Sequence, residues 1–252
     1  MATSWLFAYR NITNTTTERT VIAAIVPRVP FGNTAPLIYL GLHDYQLTAV
    51  LSANLSSFCL DYCARQKIAG THLTHVYFHQ LPIVPPQKYS DHFEWLGQDT
   101  ALRDWISKRV MELTYIAWDL KRFAEDCGYD GPPFRWNEDR RFLLRSELDA
   151  LFFLLYLGSV QEWVDQPAAL RESFPSPRDA ASYIMDTFPI VKKRDEQEHG
   201  GHYRTKDTML EIYDAMAEAT RTGVPYQSRL CPRPADASVA HPAESLPVLG
   251  VS

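Results

Sequence analysis

RQKIAGTHLTHVYFHQLPIVPP, residues 65–86, is the stretch on which the reading of the fold turns. Arg65 and Lys67 stand where the negative end of a helix dipole favours cations. Gly70 permits a turn. The run HVYFHQL (75–81) is aromatic and β-branched, which predicts a short strand stopped by Pro82, Pro85 and Pro86. A helix, a polar Gly-Thr-His turn and a strand in so short a span describe a loop that meets something polar and is held in a mixed α/β frame.

The residues before it fill in that frame. WLFAY (5–9) and TVIAAIV (20–26) predict strands, and Leu37–Leu40 a third. NITNTTTE (11–18) is too polar to pack in a core. Asp44 is a suitable N-cap for a helix over about 45–66, whose apolar residues Leu47, Val50, Leu51, Leu55, Phe58, Cys59 and Tyr62 recur at helical spacing.

After a connection over 85–97 the pattern becomes helical. One stripe runs Leu102, Ile106, Val110, Leu113, Ala117, Leu120, Phe123, from about Asp99 to a stop at Gly128. A second helix is predicted from the Asn137 cap to Leu157, stopped by Gly158, and packs antiparallel to the first. Shorter helices are predicted over 177–186 and 206–221, with KKRDEQEHGGHYR (192–204) between them as a solvated charge run. From Gly223 the chain is proline-rich and reads as an extended tail. The fold class is therefore α+β: a mixed α/β part over 1–90, a helical support region over 91–222, and the tail over 223–252.

The net charge of −5 hides an asymmetry. Residues 1–90 carry six cations (Arg10, Arg19, Arg28, Arg65, Lys67, Lys88) against three anions (Glu18, Asp44, Asp61), a balance of +3. The remaining 19 cations against 27 anions give −8. A polyanion would meet the first third. No apolar run approaches the ~20 residues of a membrane span. The N-terminus lacks the pattern of a signal peptide, and four scattered cysteines fit a reducing compartment, so the expected location is cytoplasmic.

Motifs for chemistry are sparse. Cys59, Cys63, His72 and His75 have the residue types of a zinc site, but Cys59 falls on an apolar helix stripe and the spacing is poor. No metal is assigned. Gly131-Pro132-Pro133-Phe134 has the prolines of an adenine-methylase motif but no polar side chain before them to hold a base. Asp195-Glu196-x-Glu198 and Glu138-Asp139 read as solvated acids. No nucleophile elbow and no phosphate-cradling glycine loop occur, so no catalytic residue is assigned.

Two polar loops have the residue types of DNA contact. Arg10, Asn11 and Thr13 stand in one, and Arg65, Lys67, Thr71, His72 and Gln80 in or beside the other. Arg and Lys suit guanine and phosphate, Asn and Gln suit adenine, and Thr suits phosphate.

The wording of the sequence then adds a resemblance. Tyr9-Arg10-Asn11-Ile12-Thr13, ERTVIAAIVP (18–27), NLSSF (54–58), DYCARQK (61–67), Gly70-Thr71-His72-Leu73 and Gln80-Leu81-Pro82 resemble the target-recognition region of large bacterial adenine-N6 DNA methylases. That family includes fused type IIG restriction–modification enzymes and phage-defence methylases. Leu113-Thr114-Tyr115, Phe134-Arg135-Trp136, Arg140-Arg141, Leu148-Asp149-Ala150 and YIMDTFP (183–189) resemble its C-terminal helical part, so the likeness spans about 5–242. The chain departs from the pattern at Thr74-His75, where an Asn and an aromatic are expected, and in an insertion around Pro167–Pro177.

The resemblance implies a DNA sequence-recognition module without its catalytic domain. Arg65, Lys67 and Thr71 would anchor phosphates, and Arg10, Asn11, His72 and Gln80 would reach base edges. Duplex DNA and a separate methylase subunit are the implied partners. S-adenosylmethionine and methyl transfer (or restriction, in fused members) would belong to the missing domain, and this chain would hold no cofactor. Two other readings stand beside it: a split or decayed fragment that acts only as a protein-docking module, and a small metal enzyme built on the Cys/His set.

Overall fold

A computed structural model of the chain describes residues 3–41, 44–91, 93–96 and 100–242. The fold is α+β: a small N-terminal sheet followed by helices. Strands β1 (Trp5–Tyr9) and β2 (Ala23–Pro27) pair antiparallel, with Phe7 opposite Ile25 and Tyr9 opposite Ala23. Trp5, Phe7, Tyr9 and Ile25 are buried. Trp5 meets Tyr45 and Phe123 edge-on, and its indole N–H donates to Asp126 at 2.9 Å. Strand β1 is thus largely covered by the chain's own helices.

The third predicted strand is not a strand. Leu37 makes an isolated bridge to Ala8, with Ile38 N–H donating to the Phe7 carbonyl at 2.8 Å and Tyr9 N–H to the Pro36 carbonyl at 3.0 Å. Pro36 has no N–H to continue a ladder.

The helix expected over 45–66 is two, α1 (Tyr45–Ser56) and α2 (Phe58–Lys67). Asp44 caps α1, accepting from Leu47 N–H. Ser57 breaks the run: its backbone is extended, and its hydroxyl donates back to the Asn54 carbonyl while accepting from Leu60 N–H. A serine that can cap a new helix competes with continuation of the old one.

The strand expected over 75–81 is instead a helical turn, α3 (His75–Phe78). Tyr9 explains the change. Phe78 stacks on its ring at 4.2 Å and His75 Nδ1 lies 3.3 Å from its hydroxyl. Residues three apart converge on one point when the backbone is helical, not extended.

The long stripe is likewise divided, into α4 (Leu102–Thr114) and α5 (Lys121–Asp126), with a 3₁₀ turn at Trp118–Leu120 between them. The Tyr115 carbonyl accepts from Phe134 N–H at 2.8 Å, which takes the chain out of the helix there. Gly128 ends α5 with φ +85°, and Asp99 lies outside the described residues. Helix α6 (Glu138–Leu157) matches its prediction, with Asn137 accepting from Arg140 N–H and Gly158 at its end.

Short helices α7 (Val160–Trp163), α8 (Ala168–Ser173) and α9 (Pro177–Asp186) follow, α7 and α9 each opened by a capping box. The expected charge run is largely helix α10 (Pro189–Glu198). Its Asp195 is buried and accepts from Thr205 N–H at 2.6 Å, joining α10 to the start of α11 (Arg204–Thr222). Among the packed helices, α11 lies along α6 most extensively.

The proline-rich segment, described to residue 242, runs back over the helices. Tyr226 and Ser228 donate their hydroxyls to Glu147, Ala235 N–H donates to Glu112, and Ala240 bridges Phe134. No helix of the described residues is long and apolar enough to cross a membrane.

Candidate nucleic-acid interface

The two polar loops are brought together by their backbones. Thr13 N–H donates to the Thr71 carbonyl at 3.0 Å, Leu73 N–H donates to the Asn11 carbonyl at 2.8 Å, and Ile12 bridges His72. Asn11 N–H donates to Thr34 on the other side. Residues 10–13 are therefore a short extended ribbon continuing β1, with 71–73 along one flank. Arg10, Thr71 and His72 are exposed on it, and Thr71 Oγ1 lies 3.0 Å from His72 Nδ1. Asn11 is half-buried, and its Oδ1 has no hydrogen-bond partner among the described residues. Lys67 is exposed on the last turn of α2, and Gln80 is exposed after α3.

Two of the predicted contact residues turn inward. Thr13 is buried and its hydroxyl donates to the Thr20 carbonyl at 2.7 Å. Arg65 donates to the carbonyls of Thr17, Glu18 and Thr187, pairs with Asp61, and lies over the Phe188 ring at 4.1 Å. Burial pulls its guanidinium pKa down from the ordinary value, and the neighbouring carboxylate opposes that shift. The phosphate-anchoring role expected of Arg65 is replaced by an internal one. Part of the +3 balance of the first third is accordingly consumed inside: Arg19 and Arg65 both face Asp61.

The Cys/His set is scattered by depth. Cys59 is in the core and Cys63 half-buried on α2, whereas His72 and His75 are exposed. Burial pushes both thiols up, the protonated form being the easier to hold in an apolar site. Among the described residues no three His, Cys, Asp or Glu side chains are placed to share a metal. In the Gly131-Pro-Pro-Phe turn, Phe134 is fully buried, and a Cβ on Gly131 would lie 2.4 Å from the Tyr129 hydroxyl oxygen. That turn packs the interior and has no fit to a flipped base.

A second feature went unread in the sequence. A groove of about 870 Å³ lies between the β2 segment, the α1–α2 junction, α4, α6, α10 and the start of α11. Arg19, Arg141, Arg145, Arg194 and Arg204 line it, together with Phe142 and the carboxylates of Glu18, Glu138, Asp149, Asp195 and Glu198. The available signal was the four-residue interval of Arg141, Arg145 and Asp149, which places all three on one side of a helix.

No protein-family model, no curated protein and no solved structure matches this chain.

Proposed function

We propose that the chain is a DNA sequence-recognition module of an adenine-N6 methylase-type restriction–modification or phage-defence system. The observation that carries the reading is the backbone pairing of residues 11–13 with 71–73, which gathers both polar loops into one surface. Arg10 and Lys67 supply its exposed cations for phosphate, with Thr71 beside them. Asn11, His72 and Gln80 supply donors and acceptors for base edges. Thr13 and Arg65 hold the loops from behind. No catalytic step is assigned to this chain, and S-adenosylmethionine chemistry belongs in this reading to a separate methylase part.

Two exposed cations imply weak duplex binding on their own, with log K falling against log salt at a slope of about −2. Fluorescence anisotropy of a labelled duplex between low and moderate salt tests this. Lys67→Glu and Arg10→Glu are each expected to weaken binding at unchanged melting temperature. Binding that ignores both substitutions and salt would sink the reading.

The alternative of a protein-docking module has an observation of its own. Ile12 and Val76, on the same two segments, are 51% and 67% exposed. Co-purification with a methylase subunit, lost on Val76→Asp and accompanied by no DNA binding, would favour it.

A further inference from the structure

Helix α6 brings to the groove two charges of opposite sign that have no ion-pair partner among the described residues. Arg141 lines it with its guanidinium stacked 3.7 Å from the Trp136 ring and one nitrogen donating to the Leu113 carbonyl. Its Nε–H is buried without a partner, and among the described residues no carboxylate stands within ion-pair distance of it. The other guanidiniums of the groove are matched: Arg19 to Asp61, Arg145 to Glu138, Arg194 to Glu18 and Arg204 to Asp139. An unmatched, half-buried arginine in a chain with 30 acids needs an explanation.

Asp149 lies on the same side, two turns further and roughly 12 Å along the axis. It is buried and accepts Phe58 N–H at 2.9 Å, but among the described residues no cation is within ion-pair distance. Val110, Leu113, Phe142, Leu148 and Val191 give the groove apolar walls between and around these charges. The volume falls in the range of small-molecule sites, about 300–1,000 Å³.

We propose that this groove binds an organic phosphate that carries an amino donor at its far end, with the phosphate on Arg141 and the donor on Asp149. An amino-substituted nucleoside monophosphate has that chemistry. Phosphate is favoured over a carboxylate because Arg145 stands one turn from Arg141. Its pair with Glu138 is exposed on both sides and weak enough to yield to a dianion. The guanidinium fork matches two phosphate oxygens. The apolar walls would cover the ring between the two ends. The site is separate in residues from the ribbon of Arg10 and His72, so it stands or falls independently of the DNA reading.

Titration calorimetry of the full chain with AMP, IMP, adenosine and inorganic phosphate tests it. AMP is expected to bind in the micromolar to submillimolar range, and IMP, which lacks the amino group, at least tenfold more weakly (about 1.4 kcal/mol). Arg141→Met should weaken AMP at least tenfold, with Arg145→Met weakening it less. Asp149→Asn should erase the preference for AMP over IMP. Thermal melts of each variant verify that the fold is kept, and the Arg145→Met comparison stands if Arg141→Met fails to fold. Absence of AMP binding at millimolar concentration overturns the proposal. So does AMP binding that is indifferent to both arginine variants, or inorganic phosphate or adenosine binding as tightly as AMP.

Discussion

Asp61 and Arg65 stand one turn apart on α2 and face inward together, the Arg65 Nε 3.3 Å from an Asp61 carboxylate oxygen that is fully buried. The same carboxylate accepts Thr20 N–H at 2.8 Å and Val21 N–H at 2.5 Å. One side chain thus satisfies two backbone donors leading into β2 and balances a buried guanidinium. The polar 11–18 connection, whose one large apolar residue, Ile12, is exposed, is held in place by this carboxylate and by Arg65 donating to Thr17 and Glu18.

Asp61→Ala should therefore be among the most damaging substitutions in the N-terminal part. It leaves two amides without their acceptor and Arg65 without its counter-charge, and loss of one partner of a buried ion pair costs about 3–5 kcal/mol. Urea denaturation followed by circular dichroism measures the change. A loss under about 1 kcal/mol, the range of an exposed pair, would show that the site is wetter than its geometry. Lys67→Glu, two residues beyond Arg65 and exposed, should change stability by no more than about 0.5 kcal/mol.

How much of this was legible depends on how local each signal is. Asn137 and Gly158 bracket α6, and Gly128 ends α5, because caps act over three or four residues. The α+β class followed from the same periodicities. The segment 75–81 misleads because HVYFHQL satisfies a strand pattern, and only Tyr9, far away in sequence, calls for the helical turn. Helix α10 has Val191 and Asp195 as its buried residues, so no apolar stripe marks it. At the candidate interface the residue types were readable but their direction was not. Arg65 and Lys67 look alike in sequence, and what separates them is Thr17, Glu18 and Thr187, brought by the fold to one of the two.

Glu147 is expected to fasten the proline-rich segment. It is buried against Arg109, whose Nη2 is 2.6 Å away and whose guanidinium lies over the Trp105 ring at 3.2 Å. Its other carboxylate oxygen accepts the hydroxyls of Tyr226 at 2.9 Å and Ser228 at 2.5 Å. Glu147→Gln places an amide against one set of donors, leaving Arg109 without its counter-charge. The loss should approach the ~3 kcal/mol of a broken buried pair. Limited proteolysis should show faster cleavage between residues 223 and 240. Tyr226→Phe should accelerate that cleavage too while costing only about 1 kcal/mol, since it removes one hydrogen bond and no charge. Unchanged cleavage in both variants would mean that the segment is held by its other contacts, among them Ala235 N–H to Glu112 and the bridge between Ala240 and Phe134.

Asp149 gives the chain a pH signature. Burial pushes its carboxyl up to about 6 from an ordinary 3.8, with Asp61 acting in the same direction and Arg19, the Phe58 amide and Arg145 opposing. A carboxyl whose folded-state pKa is raised binds its proton more tightly in the native chain. Between about pH 4 and pH 6 the folded state holds a proton that the unfolded state has released, so this group makes stability fall as pH rises through that window. Above it, the ionised form carries a penalty on the order of 2–3 kcal/mol. Asp149→Asn keeps an oxygen for the Phe58 amide and removes the charge. At pH 7.5 the variant is expected to be more stable than the parent, and the difference should shrink steadily toward pH 4.5. Chemical denaturation of both proteins across that range gives the comparison. A variant less stable than the parent at pH 7.5 would mean that the carboxylate contributes more as an acceptor at the start of α2 than burial takes away.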